Sequence, residues 1–183
     1  MNQIVAASNA IPGQSKIAAV APSASEFISF AIDDGQYGVD IMAVREIKGW
    51  IDVTVIPKQP EYMRGVLNLR GAIVPIIDLR CRLGMGVTKT TPLHIVIIVQ
   101  IDDRQVGLIG DRVLDIVSID TARIQPVPRT RQEAAADFLS GLVTHDDVMI
   151  ALIDLPQLLS GHDGDDTDPP ADQPESCAPA PQN

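Results

Sequence analysis

Hydrophobic and polar positions alternate in short runs through the middle of the chain, from about residue 25 to residue 160. Val, Ile and Leu fill most of the apolar positions, and short polar turns rich in Asp, Gly or Arg separate the runs. This alternation is typical of half-buried β-strands, and branched aliphatic side chains favour strands over helices. The pattern therefore predicts an all-β fold with only short helices.

The predicted strands recur in an internal repeat. The segment FAIDDGQYGVDIMAVREI (Phe30–Ile47) aligns without gaps on VQIDDRQVGLIGDRVLDI (Val99–Ile116), an offset of 69 positions (99 minus 30). Further on, GVLNLRGAIVPIIDL (Gly65–Leu79) aligns on GLVTHDDVMIALIDL (Gly141–Leu155), an offset of 76 (141 minus 65). Similarly patterned β units also resemble each other by chance, but a duplication is the favoured interpretation. Because each copy predicts about five short strands, we expect two small curled barrels that share a hydrophobic core.

Short helices are predicted at two places in each copy. Pro60 suits the first turn of a helix that ends at Gly65, whereas Thr130 and Glu133 have capping-box spacing ahead of a helix that ends at Gly141. The aspartate of each Ile-Asp-Leu sequence is placed to cap a further helix, at LRCRL and at LPQLL.

The chain divides into three regions by composition. Residues 1–24 have no clear period and predict a flexible arm, whereas residues 161–183 are rich in Asp, Pro and Ala and predict a disordered acidic tail. The intervening region, 25–160, holds the repeat, with subdomains expected at roughly 25–90 and 91–160. The sequence leaves open whether these halves exchange a strand.

Charge and cysteine content narrow the classes of partner. The net charge is -10, which argues against nucleic acid or an anionic membrane surface as the main partner. No apolar run is long enough to insert into a membrane, and no secretory signal is recognisable. Two cysteines do not make a disulfide framework, so a reduced, cytoplasmic setting is expected.

Acidic pairs at the predicted turns are the first candidates for chemistry. Paired carboxylates serve acid–base catalysis or bind hard cations. Because the pairs occupy corresponding places in the two copies, we favour hairpin turns. A metal-dependent hydrolase that uses the first and last pairs is the alternative from another class. The acidic turn residues and the adjoining histidine are Asp33, Asp34, Asp102, Asp103, His145, Asp146 and Asp147.

Other reactive side chains also have structural interpretations. The tail segment HDGDDTD resembles a calcium loop but has Asp168 in place of the required glycine and Pro174 in place of the required glutamate. Cys81 has no histidine near it in sequence and is expected to be a packing thiol, and His94 precedes an apolar strand. The sequence therefore predicts no enzyme, no metal site and no cofactor.

Arg70 is different, because it stands at the predicted tip of an apolar hairpin, VLNLRGAIVPIIDL. Such a tip exposes the guanidinium, a planar group that suits a carboxylate or a helix C-terminus on another protein. The alternative is a solvated arginine in an internal ion pair. Pro75 adds to the case for a partner, because a proline confines a strand to a sheet edge or a bulge.

The succession EFISFAIDDGQYGVDIMAVREIKGW, IPKQPEYMRGVLNLRGAIVPIIDLR, VGLIGDRVLDI and FLSGLV resembles the CheW family of bacterial chemotaxis coupling proteins, from about Glu26 to Leu159. The resemblance implies two SH3-like five-stranded barrels and a non-catalytic adaptor. Its expected partners are the cytoplasmic tip of a chemoreceptor (a methyl-accepting chemotaxis protein), which lies in the groove between the barrels, and the regulatory domain of the histidine kinase CheA. An adaptor of another receptor–kinase pathway, such as surface motility, is the alternative.

The same resemblance assigns the site residues by position. The arginine of NLRG is Arg70, and the V-x-E-I segment supplies Val44, Glu46 and Ile47 to a receptor- and kinase-binding face. We expect Val44 and Ile47 to form an apolar groove. Gly65 and Gly71 are expected at structural turns, where backbone shape matters more than contact. The protein is expected in the cytoplasm, recruited to membrane-associated receptor arrays.

Overall fold

The structure, a computed structural model, describes residues 24–128 and 134–160. The predicted arm except for Ala24, the predicted tail and the capping box of Thr130 and Glu133 lie outside these residues. In the described part, none of the helices is both long enough and apolar enough to cross a membrane. The strands and α-helices are β1 (Ala24–Ile32), β2 (Gly35–Asp40), β3 (Val44–Gly49), β4 (Met63–Leu69), β5 (Ala72–Asp78), α1 (Leu79–Arg82), β6 (Ile95–Ile101), β7 (Arg104–Gly110), β8 (Arg112–Asp120), β9 (Leu139–His145), β10 (Val148–Ile153) and α2 (Leu155–Ser160), with 3-10 helices at Ile41–Ala43, Thr121–Arg123 and Ala134–Phe138.

The ten strands of the described residues form two five-stranded sheets. One sheet has the order β3-β6-β7-β5-β4 and consists of strands that are consecutive in the chain; we call it the contiguous subdomain. The other has the order β8-β1-β2-β10-β9 and takes strands from both ends of the domain; we call it the split subdomain. The expected division at residue 90 is therefore wrong, because β1 and β2 pair with β8 and β10 instead of staying with their own half of the chain.

The sheet orders reproduce the internal repeat. When each strand of one sheet is replaced by its counterpart five strands away, β3-β6-β7-β5-β4 becomes β8-β1-β2-β10-β9. Each subdomain thus combines two strands of one copy with three of the other, which answers the question of strand exchange. The predicted class is confirmed: the fold is all-β with short helices and has two SH3-like subdomains.

Hydrophobic side chains form one core between the subdomains and a smaller core within each. The shared core joins Phe30, Ile32 and Val39 of the split subdomain to strands and helix α1 of the contiguous subdomain. This confirms the predicted shared core and places about half of the buried apolar residues where both sheets must be present to exclude water. The other members of the shared core are Ile28, Met63, Ile77, Leu79, Leu83, Ile97, Val99, Val106, Leu108, Ile153, Leu155 and Leu158.

Two-residue turns close four hairpins. The first turn residue of each, Asp33, Arg70, Asp102 or Asp146, has a positive φ between 48° and 56°. Asp tolerates this left-handed conformation better than most residues because its short side chain can hydrogen-bond locally. The acidic pairs are therefore turns, as predicted. They lie on separate hairpins, and no group of three His, Cys, Asp or Glu side chains in residues 24–128 and 134–160 could hold a metal ion.

The helix predicted to end at Gly65 does not form. Gly65 lies inside β4, at a bulge, with φ +139°, and its missing Cβ would overlap the carbonyl group of Thr54. Thr54 and Val66 exchange two backbone hydrogen bonds of 2.9 Å there. Gly65 is therefore not at a turn, contrary to the prediction. It allows the segment that follows β3 to pass close over β4 and so to close the curled sheet.

Gly141 has the same role in the second copy. It lies in β9 rather than at a helix end, and an added Cβ would overlap the Ile124 side chain and approach the Gln125 carbonyl oxygen to 3.0 Å. Gln125 and Leu142 exchange two hydrogen bonds of 2.8 Å. In both copies, a glycine thus allows a crossing segment to pair closely with a strand of the curled sheet.

The two predicted aspartate caps are confirmed. Asp78 accepts a hydrogen bond from Cys81 N at 3.2 Å at the start of α1, and Asp154 accepts one from Gln157 N at 2.9 Å at the start of α2. Each satisfies an amide that has no partner within its helix.

Candidate functional site

The NLRG sequence forms the turn between β4 and β5. Arg70 (φ 52°) and Gly71 (φ 94°) both have the positive φ of a type I′ turn, which matches the twist of a hairpin. Asn68 Oδ1 accepts a hydrogen bond from Gly71 N at 2.9 Å, and Leu69 packs against the inner core of the contiguous subdomain. The motif therefore fixes the backbone of the tip and leaves the Arg70 side chain 87% exposed.

Glu46 forms an ion pair with this arginine. Its Oε2 lies 3.5 Å from Arg70 Nη2 and 3.4 Å from Lys48 Nζ. The sheet order puts β3 and β4 at opposite edges, so the two side chains meet because the sheet curls. Arg70 and Glu46 also line an open cleft of about 500 Å³ with Ile98. The structure thus brings together two of the predicted site residues, which are 24 positions apart in the sequence (70 minus 46).

Val44 and Ile47 lie on the edge strand β3, beside the shared core. They pair with Val99 and Ile97 of β6, both of which are buried in that core. Directly opposed residues of an antiparallel pair point to the same face. Val44 packs against the core, whereas Ile47 is 38% exposed. We call these two side chains the β3 margin. Ile47 is therefore more accessible to a partner than Val44 is.

A second margin lies on β8 and was missed by the sequence reasoning. Val113 pairs with Phe30 and Ile116 pairs with Ile28, again opposite members of the shared core. Val113 is 38% exposed and Ile116 is 55% exposed. We call this pair the β8 margin. The repeat contained the signal, because the offset of 69 maps Val44 and Ile47 onto these two residues.

The residues beside the two margins differ in charge. At the places that correspond to Glu46, Arg70 and Gly71, the second copy has Asp115, Asp146 and Asp147. Asp146 is as exposed as Arg70, but it presents a carboxylate where the first copy presents a guanidinium. Equivalent backbone positions therefore offer opposite charges to a partner.

Pro75 does not mark a sheet edge, because β5 lies between β4 and β7. The parallel pairing of β5 with β7 begins only at Ile76 and Gly107. Val66, opposite Pro75, directs its amide and carbonyl to Thr54, so the proline nitrogen faces the side on which pairing has ended. A strand tolerates proline there because no donor is needed. The splayed ends of β5 and β7 leave a cleft of about 690 Å³.

A buried ion pair behind the site was also missed. Asp78 is fully buried, and its carboxylate accepts hydrogen bonds from Thr88 N (2.8 Å), Thr88 Oγ1 (2.7 Å) and Arg64 Nη1 (3.1 Å). Sequence spacing indicated only its capping role, since partners ten and fourteen positions away depend on tertiary folding.

Cys81 and His94, the two reactive side chains considered in the sequence analysis, both have structural surroundings that account for them. Burial, with the nearby Asp78 carboxylate as a further cause, raises the pKa of the Cys81 thiol, which favours the less reactive neutral form. His94 Nδ1 lies 3.0 Å from Thr91 N and accepts that hydrogen bond, and its Nε2 lies 3.5 Å from Asp111 Oδ1.

Two curled five-stranded sheets with an exposed arginine tip and two apolar margins define a protein of the paired SH3-like class. The family model for the CheW-like domain matches residues 26–162. The chain therefore belongs to the CheW-like family.

Similar proteins carry the same family name. The chain is 44% identical to a probable chemotaxis protein CheW of Rhizobium etli over 135 residues, which is 74% of this chain and 87% of the relative. It is 37% identical to the chemotaxis protein CheW of Klebsiella aerogenes over 138 residues, 75% and 83% of the two chains. The crystal structure of the scaffolding protein TtCheW from Thermoanaerobacter tengcongensis superposes with a TM-score of 0.68 at 35% identity, covering 77% of this chain and 91% of that one.

Proposed function

We propose that this protein is a non-catalytic chemotaxis adaptor that couples transmembrane chemoreceptors to the histidine kinase CheA and supports receptor-controlled kinase activity. It works in the cytoplasm and is recruited to membrane-associated receptor arrays. Membership of the CheW-like family supports this role, and so do relatives named as chemotaxis proteins and as a scaffolding protein.

The exposed guanidinium of Arg70 is the observation that carries the proposal. Its backbone is fixed by the type I′ turn, so a partner that binds the side chain orders little additional backbone. Its 3.5 Å contact with Glu46 is a surface ion pair of the kind worth about 0–1 kcal/mol, which a partner carboxylate or helix C-terminus can replace. Arg70 and Glu46 therefore act together: the glutamate orients the arginine, and the arginine binds the receptor tip beside the β3 margin.

An adaptor needs surfaces for two different proteins, and the two margins supply them. The β3 margin lies next to a cationic tip, whereas the β8 margin belongs to the copy whose corresponding turn is acidic. Surfaces with opposite charge favour different partners. We assign the β3 margin to the receptor tip and the β8 margin to the second partner, the regulatory domain of CheA.

The test is autophosphorylation of CheA in the presence of receptor-containing membranes, with and without this protein. We expect strong activation by the wild type. Arg70→Ala removes a charged hydrogen-bond donor, a loss of about 1.5–3 kcal/mol, so its half-maximal activating concentration rises roughly 10- to 150-fold. Arg70→Lys recovers only part of this, because an ammonium lacks the planar fork.

Arg123→Ala is the matched control. Arg123 is also exposed and donates to Thr144 O at 3.3 Å within the split subdomain, away from the arginine tip. It should activate as the wild type does. Unchanged activation by a folded Arg70→Ala variant would refute the assignment of Arg70, and no activation by the folded wild type with several receptors would refute the chemotaxis role.

A second candidate is an adaptor of another receptor–kinase pathway. One observation favours it: the chain is 31% identical over 127 residues to the protein FrzA of Myxococcus xanthus, 69% of this chain and 79% of that protein. Both candidates use the same surfaces. Activation of a kinase from a surface-motility pathway, with no effect on CheA, would favour the second.

A further inference from the structure

Helix α1 lies at the junction of the two subdomains and carries two arginines that reach across it. The helix follows β5 and so belongs to the contiguous subdomain. Its apolar side, Leu79 and Leu83 just beyond its last residue, is buried in the shared core. Arg80 and Arg82 extend from the same short helix toward different elements of the split subdomain.

Arg80 makes the first connection. Its Nη2 lies 2.7 Å from Asp33 Oδ2, and Asp33 belongs to the β1–β2 turn of the split subdomain. Asp111 holds the same turn in place, because its Oδ2 accepts a hydrogen bond from Asp33 N at 2.7 Å while its own amide donates to Ala31 O at 2.9 Å. The backbone of the turn that carries the acceptor is thus held in place.

Arg82 makes the second connection, by stacking between two aromatic rings. Its guanidinium carbon lies 4.2 Å from the centre of the Tyr62 ring and 4.5 Å from that of Phe138. Tyr62 precedes β4 of the contiguous subdomain, whereas Phe138 precedes β9 of the split subdomain. Arg82 Nη2 also lies 3.4 Å from Leu158 O of α2. One planar cation therefore joins three elements from both subdomains.

The contacts of Arg80 and Arg82 add directional constraints on the orientation of the two subdomains. Apolar burial is not directional, so it constrains the angle between the two sheets less strictly than directional contacts do. An ion pair and a planar stack do fix direction. Within residues 24–128 and 134–160, Nε of both arginines is buried without an acceptor. A buried donor without a partner is unfavourable, so the arginines are costly groups for packing alone.

We propose that α1 is a clamp between the subdomains, in which Arg80 and Arg82 are positioning residues that fix the β3 margin relative to the β8 margin. The structural role of the clamp does not depend on the proposed function; only its effect on receptor and kinase binding rests on it. As positioning residues, the two arginines need no contact with a partner. Each acts by keeping the two margins in one relative orientation, so that a receptor tip and a kinase domain meet surfaces that are already arranged.

The test is the distance between two spin labels, one on each subdomain, at Asp103→Cys of the β6–β7 turn and Asp147→Cys of the β9–β10 turn. Cys81→Ala and Cys177→Ser remove the two native cysteines, so that only the introduced thiols are labelled. We expect a narrow distance distribution for the otherwise wild-type chain. Arg82→Lys, which keeps the charge but loses the planar stack, should at least double its width.

Companion variants separate the clamp from general destabilisation. Phe138→Leu removes one ring and leaves the arginine, and should broaden the distribution as Arg82→Lys does. Arg80→Asp should broaden it, and the double variant Asp33→Arg with Arg80→Asp should restore the narrow form. Arg123→Ala, whose hydrogen bond to Thr144 O stays inside one subdomain, should change nothing.

Receptor binding is measured on the same variants. Clamp variants that melt as cooperatively as the wild type should bind receptor-containing membranes about tenfold more weakly, although the Arg70 tip is intact. A broad distribution in the wild type, or unchanged widths in folded clamp variants, would overturn the clamp. Because the spin-label distances need no receptor, their outcome is independent of whether the proposed function is correct.

Discussion

Replacing Gly65 with alanine should weaken the fold more than the same replacement at Gly71 or Gly49 of the contiguous subdomain. Two effects combine at this position. The φ of +139° is a conformation that side chains avoid, at a cost of about 1–3 kcal/mol. The new Cβ would also overlap the Thr54 carbonyl and displace the two Thr54–Val66 hydrogen bonds, each worth about 0.5–1.5 kcal/mol.

The expected loss in the free energy of unfolding is therefore about 2–6 kcal/mol, a large part of the 5–15 kcal/mol typical of a folded domain. Urea denaturation, followed by circular dichroism, measures it as a lower midpoint at unchanged slope. Two further glycines separate the causes. Gly71→Ala, with φ +94° and nothing within 4 Å of the new methyl group, tests backbone strain alone. Gly49→Ala, with no positive φ and no near neighbour, should be neutral or slightly stabilising.

The order of stability of the three variants shows whether the close approach at Gly65 matters beyond backbone strain. Gly65→Ala must be clearly less stable than Gly71→Ala, and Gly71→Ala less stable than Gly49→Ala. Equal losses at Gly65 and Gly71 would mean that the crossing segment moves aside without cost, and the closure of the curled sheet would then not depend on this glycine.

Three further outcomes are expected. Asp78→Asn should lower the free energy of unfolding by about 3–5 kcal/mol in urea, because it leaves the partly buried Arg64 without its counterion; a loss below about 1 kcal/mol would contradict this. Because burial raises the pKa of the Cys81 thiol, iodoacetamide at neutral pH should label Cys177 well before Cys81 in the native chain and both equally in urea, as measured by peptide mass. Asp154→Ala should cost about 0.5–2 kcal/mol and Asp154→Ser much less; equal melts would show that the cap is unimportant.

Local features of this fold were predictable because their causes are local. The alternation of apolar residues predicted the strands, and the Asp pairs predicted turns because Asp adopts positive φ readily. Asp78 and Asp154 were recognisable as caps from their place ahead of short apolar segments. The shared core followed from two copies too small to bury their apolar faces alone.

The failures have a common cause, which is pairing between distant segments. Glycine commonly follows a helix, which predicted helix ends at Gly65 and Gly141, but a segment 11 residues earlier in the chain (65 minus 54) passes over the first and one 16 residues earlier (141 minus 125) passes over the second. Sheet membership was likewise wrong, since the repeat gives the order of strands and not which copy each strand pairs with. The meeting of Glu46 with Arg70 depends on sheet curvature, which no spacing in the sequence records.

The interleaved sheets also set an order of events during synthesis. The strands β3 to β7 leave the ribosome as one uninterrupted segment, so their subdomain can close as soon as Gly110 has emerged. The strands β1 and β2 emerge first but have to wait for β8 to β10, a delay of several seconds at about 5–20 residues per second. During that wait Phe30 and Ile32 are exposed, and the finished subdomain offers them the nearest apolar surface. The subdomain completed first is thus the template on which the ends of the nascent chain meet.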